Sequence, residues 1–273
     1  MKDLKSDFYI GWQEKAPQLF TQRSKRFIWA VLATVVLTAG LIVGFQKPFV
    51  GSTFEFGTIS TLEGQLTLYP APMLKIRENG QTQGVLLVGF GKIGAEKTLR
   101  EMEEAQGVKL EGKSVTLRGT KIYHDGKMVL ELSEGKAAFV EAKEMQPRPE
   151  IQRKDFGWVT LKGEILDPKC ALGVMMPGEG KPHRSCAIRC ISGGIPPLLR
   201  ITNLEGQSNY ILLRGMEKEA VNQQVLPYVA DQIVICGQLV QEDDWLVLQT
   251  DPSSKITRIS PYGAPEGITQ CNQ

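Results

Sequence analysis

Histidine is scarce in this sequence, and an excess of either charge is absent. Only His124 and His183 occur among 273 residues, so few schemes of general acid–base catalysis can be built from the chain. Lysine and arginine number 32 against 30 acidic residues, for a net charge of +2, and this balance gives no reason to expect a nucleic-acid partner. H-E-x-x-H and phosphate-loop motifs are also absent from the sequence. Nothing here indicates an enzyme, and we predict no catalytic residue.

The 19 residues from Phe27 to Phe45 form a long apolar run without a charged residue. As a helix it would reach roughly 28 Å, about the thickness of the hydrocarbon core of a bilayer. The run therefore predicts one transmembrane helix over 27–45. A cleaved signal peptide is the alternative, but the run is long for a signal, and residues 44–47 do not form a small-residue cleavage site.

Basic residues flank this run unequally. Only Lys47 closely follows it, whereas residues 15–26 before it contain four basic residues: Lys15, Arg23, Lys25 and Arg26. By the positive-inside rule, residues 1–26 form a cytoplasmic segment and the rest of the chain lies outside. For a Gram-negative source, we expect a single-pass inner (cytoplasmic) membrane protein with its C-terminal domains in the periplasm.

Aromatic residues cluster at the cytoplasmic side of the run. Phe8, Tyr9 and Trp12 lie in the N-terminal segment, and Trp29 lies near one end of the predicted helix. Such residues favour the headgroup region of a membrane, which is the interpretation we prefer. Alternatively, the first three form a docking strip for another membrane subunit.

After Pro48 the sequence alternates and turns often, as β-structure does. His124-Asp125-Gly126 is typical of a hairpin turn, and residues 95–106 contain good helix formers, with Gly107 placed to end a helix. The predicted strands are Thr61–Tyr69, Met73–Arg77, Gly84–Gly89, Ser114–Tyr123 and Lys127–Leu132.

The same series of segments recurs after a charged stretch with two prolines, which we interpret as a linker over 146–155. In order, segments beginning at Tyr69, Gly84, Val115 and Asp125 match segments beginning at Ile195, Tyr210, Ile233 and Asp243. Four ordered matches predict a duplication. The copies are expected at 50–145 and 156–262, with the helix of the second copy in 217–230 and a tail at 263–273.

Each copy then has five strands and one helix before the fourth strand, an order that resembles the OB-fold, a small Greek-key barrel. The predicted fold is therefore mainly β, with one N-terminal transmembrane helix followed by two tandem OB-fold-like barrels. This resemblance depends on the order of elements and not on a diagnostic motif.

An insertion at 166–195 separates the first two strands of the second copy. It contains Cys170, His183, Cys186 and Cys190, and the last three share one face if 183–190 is helical. We favour a disulfide from Cys170 to Cys186 or Cys190, because exported domains keep disulfides and a crosslink would order this long insertion. The alternatives are a zinc, copper or iron–sulfur site, and a redox-active thiol pair. The chain requires no other cofactor.

Two cysteines lie elsewhere. Cys236 is in an apolar run and is expected to be a small buried hydrophobe, whereas Cys271 lies in the polar tail and is available to a cysteine that the insertion leaves unpaired. Gly89–Gly94 fits the pattern G-x-G-x-x-G, but no βαβ unit surrounds it, so it does not indicate a nucleotide site.

The segments DPKC, HRSCAIRC and GGIPP of the insertion resemble uncharacterised bacterial membrane-anchored exported proteins. That resemblance covers about 30 residues; it implies an exported bacterial domain and supplies no activity. We predict an accessory or assembly subunit of a membrane complex, respiratory or other electron-transfer complexes included. It would contact the membrane and other subunits of the complex, the latter through strand edges and loops. The alternative is a metal-binding or thiol-redox protein that uses the four insertion residues.

Overall fold

The computed structural model describes residues 18–45, 51–78, 81–144 and 152–259. The chain divides into two compact units, 1–50 and 51–273. Helix α1 (Gln18–Phe45) belongs to the first unit, and its part from Phe20 to Phe45 is long and apolar enough to cross a membrane, with a mean hydropathy of 2.3. It starts before the predicted residue 27 because no proline or glycine interrupts residues 18–39.

Of the residues predicted to lie at the membrane interface, Trp29 is on α1 and is 70% exposed. Phe8, Tyr9 and Trp12 lie outside the described residues.

The first copy forms a closed barrel of five strands. Its elements are β1 (Thr53–Phe54), β2 (Ser60–Thr67), β3 (Met73–Glu78), β4 (Gln81–Gly89), α2 (Ala95–Gln106), β5 (Ser114–His124), β6 (Lys127–Leu132) and β7 (Phe139–Lys143). The strands are hydrogen-bonded in the order β5-β2-β3-β4-β6, and β6 pairs with β5 to close the barrel. Only β4 and β6 run parallel within this ring. The short strands β1 and β7 were not predicted, and both add to β5.

The second copy repeats this barrel. Its elements are β8 (Arg153–Leu166), α3 (Gly180–Ser192), β9 (Leu198–Thr202), β10 (Ser208–Arg214), α4 (Asn222–Val225), β11 (Gln232–Glu242), β12 (Trp245–Gln249) and β13 (Ile256–Arg258). Strand order β11-β8-β9-β10-β12 corresponds position for position to the first barrel, again with one parallel pair, β10 and β12. The predicted fold of two tandem OB-like barrels is confirmed.

Strand β8 begins earlier than the sequence indicated. Residues 153–155 were assigned to the linker because they are charged, but Arg153, Lys154 and Asp155 pair with Glu242, Gln241 and Val240 of β11. Charged side chains are compatible with a strand end whose outer face is solvated, and all three residues are exposed. The linker prediction was therefore too long at this end.

Local chemistry explains where these elements turn and end. Asp125 and Gly126 both have positive φ, 47° and 72°, as a two-residue hairpin of the right twist requires. Asp243 occupies the matching hairpin of the second barrel with φ 53°. Gly107 ends α2 in the left-handed conformation, as predicted.

A hydrophobic cluster joins the two barrels, each of which also has a core of its own. Ile122 and Val129 of the first barrel cluster with Leu212 and Trp245 of the second. The buried Trp245 indole donates a hydrogen bond to the carbonyl of Gly84 in the first barrel at 2.8 Å. Residues 51–273 are consequently one compact unit.

Matched glycines in the two barrels test the duplication. A Cβ on Gly119 would lie 2.4 Å from the Glu131 carbonyl oxygen, and one on Gly237 would lie 2.3 Å from that of Gln249. Because both obstacles are backbone atoms, we expect Gly119→Ala and Gly237→Ala each to lower the free energy of unfolding by about 1–3 kcal/mol. Gly51→Ala, which meets nothing within 4 Å, is the control. Denaturant unfolding of the detergent-solubilised protein measures this, and a loss of stability at only one of the two matched glycines would contradict the predicted equivalence.

Candidate metal centre

The insertion of the second barrel is held by hydrogen bonds and by α3. The Gly180 backbone N–H donates to the Glu164 carboxylate at 2.6 Å at the start of α3. At its end, the Asn222 side-chain amide donates to the carbonyls of Ile191 and Ile195, each at 2.8 Å. Residues 183–190 are helical, as the spacing argument required. The insertion is thus ordered by a helix and a polar network.

The predicted disulfide is not formed. Cys170, Cys186 and Cys190 are all free thiols, and the Sγ atoms of Cys170 and Cys186 are 3.8 Å apart, against about 2.05 Å in a disulfide. The prediction assumed that a loop of this length needs a covalent brace. It was wrong because α3 and the hydrogen bonds at its two ends supply that order.

The predicted residues nevertheless lie in two close groups that share Cys170. Ligand atoms of Cys170, His183 and Cys186 lie within 4.8 Å of one another, and those of Cys170, Cys190 and Asp167 do so too. Cys170 belongs to both groups because it begins a short π-helical turn, Cys170–Val174, that faces α3. Burial is deep: the exposed fractions of Cys170 and Cys190 are 3% and 2%.

His183 is oriented by a buried carboxylate. Its Nε2 lies 2.9 Å from Asp167 Oδ2, and neither side chain is exposed. The other oxygen, Asp167 Oδ1, accepts the Cys170 backbone N–H at 2.9 Å. Since a carboxylate only accepts, Nε2 carries the proton and Nδ1 presents its lone pair. Among the described residues, this fully buried Nδ1 has no hydrogen-bond partner.

The pKa values of the Cys170 and Cys190 thiols are shifted in opposite directions. A hydrogen bond with Cys190, burial and the Asp167 charge raise the pKa of Cys170. In contrast, the hydrogen bond from Cys170 lowers the pKa of Cys190. Of these two thiols, Cys190 is therefore the readier to form a thiolate.

A lysine from the first barrel reaches the third thiol. Lys92 Nζ lies 3.2 Å from Cys186 Sγ, and this hydrogen bond raises the pKa of Lys92. Cys186 is the partly exposed member of the three. The site therefore combines buried side chains of the second barrel with one partly exposed cysteine that a lysine of the first barrel contacts.

Sequence reasoning missed Asp167 and Lys92. Asp167 carries a weak signal, an acidic residue three positions before a cysteine in the DPKC segment. Lys92 carries none, because 94 positions separate it from Cys186. Its loop, Gly89–Gly94, attracted notice only as a nucleotide-like pattern.

Cys236 is buried, as predicted, but it is disulfide-bonded. Cys271 lies outside the described residues. The expectation of a simple buried hydrophobe was therefore incomplete. The bond leaves the insertion cluster with three free thiols.

No protein-family model, curated protein or solved structure matches the chain. Any function must consequently be argued from the geometry of the cluster, which combines three thiols with an oriented imidazole.

Thiol reactivity should follow exposure in the native protein. We expect brief treatment with a maleimide to label Cys186 at least tenfold faster than Cys170 or Cys190, because alkylation requires access. Peptide mapping by mass spectrometry identifies the labelled residue. Cys186→Ser should remove the fast phase and Cys190→Ser should keep it; a fast phase that survives Cys186→Ser would contradict this assignment.

Proposed function

We propose that this chain is a membrane-anchored protein whose second barrel binds one zinc ion through Cys170, His183, Cys186 and Cys190. The observation that carries the proposal is His183 Nδ1, a fully buried lone pair without a partner among the described residues. An unpaired buried acceptor costs free energy. A metal ion would satisfy this atom and the adjacent thiolates together.

The distances suit such an ion. Zinc–sulfur bonds of about 2.3 Å at tetrahedral angles place two sulfurs about 3.8 Å apart, and Cys170 and Cys186 have a sulfur separation of 3.8 Å. Asp167 bonded to His183 Nε2 matches the carboxylate–histidine arrangement that orients metal-bound imidazoles. Three thiolates and one imidazole form a familiar zinc ligand set.

Other ions fit the same residues less well. Copper(I) also favours thiolates, and metal analysis separates it from zinc. Iron–sulfur clusters commonly take four cysteines, or two cysteines and two histidines, and this cluster has three cysteines and one histidine. Four protein ligands leave no open coordination position, so a catalytic Lewis acid is not the function we propose.

Thiol redox chemistry is the second candidate, and the short separation of Cys170 and Cys186 supports it. It accounts for two of the three thiols only. Neither the buried Nδ1 of His183 nor the burial of Cys190 is needed by a dithiol pair. The metal centre uses all of these groups and is therefore preferred.

The predicted role as an accessory subunit is compatible with a metal centre, and we keep it as a proposal. Helix α1 supplies an anchor, and the barrels supply strand edges for partner subunits. We also propose a periplasmic location for residues 46–273. The basic residues before α1 support that side, and the disulfide at Cys236 suits an oxidising compartment.

Metal content tests the proposed function. We expect the purified full chain to contain about one zinc ion, measured by elemental analysis. His183→Ala should abolish stoichiometric binding, whereas His124→Ala, which changes the other histidine, should retain it. Asp167→Asn should weaken zinc binding about 10- to 100-fold, because the orientation of His183 is lost.

Two results would contradict the zinc centre. One is a metal-free protein in which Cys170, Cys186 and Cys190 are alkylated freely after zinc is supplied and excess removed. The other is an equal metal content in His183→Ala and the unaltered chain. Recovery of a Cys170–Cys186 disulfide from cells would favour the redox function.

Topology is tested separately. Alkaline phosphatase fused after Gln273 should be active in a Gram-negative host, because the enzyme requires the disulfides of the periplasm. Replacing Arg23, Lys25 and Arg26 with glutamine should reduce that activity, since these residues supply the positive-inside signal. An active cytoplasmic reporter, such as β-galactosidase, fused at the same position would place residues 46–273 in the cytoplasm instead.

A further inference from the structure

We infer that Lys92 of the first barrel controls exchange of the metal ion held by the second barrel, and that the ion enters and leaves at Cys186. This inference rests on the proposed function. Its basis is the contact of Lys92 Nζ with Cys186 Sγ at 3.2 Å, together with the anchoring of the loop that presents Lys92.

The Lys92 loop is tied to the insertion on both sides of the lysine. Before it, the Lys169 ammonium binds the carbonyl of Gly91 at 2.6 Å and the carboxylate of Glu131. Glu131 also accepts the Gly91 backbone N–H at 3.1 Å. Lys169 and Glu131 are both 5% exposed, and Lys169 immediately precedes the ligand Cys170 in the chain.

After Lys92, the backbone N–H of Gly94 donates to the carbonyl of Gly193 at 2.9 Å. The contact is close, since a Cβ on Gly193 would lie 1.9 Å from the carbonyl oxygen of Lys92. Gly193 follows the last residue of α3, the helix that carries Cys186. These contacts fix the Lys92 loop against the end of α3. The donor Lys92 and the acceptor Cys186 are therefore positioned together.

Charge gives Lys92 a specific task. A divalent ion bound to three thiolates and a neutral imidazole leaves a net charge of −1 at the centre, and one ammonium group cancels it. Lys92 is a positioning residue in this sense, since it acts on the metal through Cys186.

Exposure identifies the route of exchange. Cys170, His183 and Cys190 are buried, whereas Cys186 is partly exposed and is contacted by the exposed Lys92. An acceptor with a thiolate or imidazole ligand would reach the ion there first. Its donor atom would bind the ion as the bond to Cys186 Sγ breaks and this thiolate leaves. The hydrogen bond from Lys92 holds Cys186 Sγ in its ligand position and so slows this step. No electron is transferred in this step.

The experiment is zinc release from the full-length protein to an excess of a chromogenic chelator. We expect Lys92→Gln to release zinc about tenfold faster than the unaltered chain, as changes around metal ligands commonly do. Lys92→Arg should stay within about threefold, because it keeps a charged donor. Lys97→Gln is the matched control. The Lys97 side chain is 71% exposed on α2, and its Nζ lies 3.9 Å from the carboxylate of Glu101.

Zinc stoichiometry and the free energy of unfolding are measured for every variant, so that a general loss of structure is recognised. If the unaltered chain holds no metal, the proposed function fails and the inference fails with it. If the unaltered chain holds zinc but Lys92→Gln releases it at an unchanged rate, the inference alone is overturned. Equal acceleration in Lys97→Gln would also overturn it, because the effect would then be one of surface charge.

Discussion

Trp245 lies in the core that joins the two barrels, and the candidate site depends on that junction. Its indole packs on Gly84, where a Cβ would approach the ring to 2.8 Å, and it donates to the Gly84 carbonyl. Cys170 and Cys190 belong to the same buried cluster as Trp245. The thiols are therefore held in an apolar interior contributed by both barrels, where reagents have little access and unpaired polar groups are costly.

Duplication explains how a site of this kind can arise between two copies. Lys75 of the first barrel forms an ion pair with Asp243 at 2.5 Å, so the second hairpin lies against the first barrel. Burial raises the pKa of Tyr210, and the charge of Asp125 in the first hairpin raises it further. Each hairpin thus lies near the other barrel. Only the second copy has an insertion between its first two strands. This insertion contacts the Gly89–Gly94 loop of the first copy.

The sequence predicts much of the fold because local chemistry decides it. Asp125-Gly126 forms the hairpin, Gly107 ends α2, and the strand order follows from the alternation and the repeat. His183 and Cys186 were recognised because a helical spacing places them on one face. Asp167 and Lys92 were not, since their roles arise from three-dimensional packing that spacing does not encode. The disulfide was predicted from the compartment and from the length of the insertion, and neither says anything about the hydrogen bonds that order α3.

The short distance between the free thiols of Cys170 and Cys186 raises the question of how they would stay reduced in an oxidising compartment. Cys170 and Cys186 have sulfurs 3.8 Å apart, close enough for a small movement to join them. In an oxidising compartment, neighbouring thiols of this kind are expected to form a disulfide unless something protects them. A bound metal ion would protect them by engaging both thiolates, and Lys92 would cover the exposed one. Burial alone does not suffice, since Cys186 is open to solvent on one side. In the proposed centre, the anchored loop of the first barrel and the ligand residues of the second would together keep three thiols reduced and available to an ion.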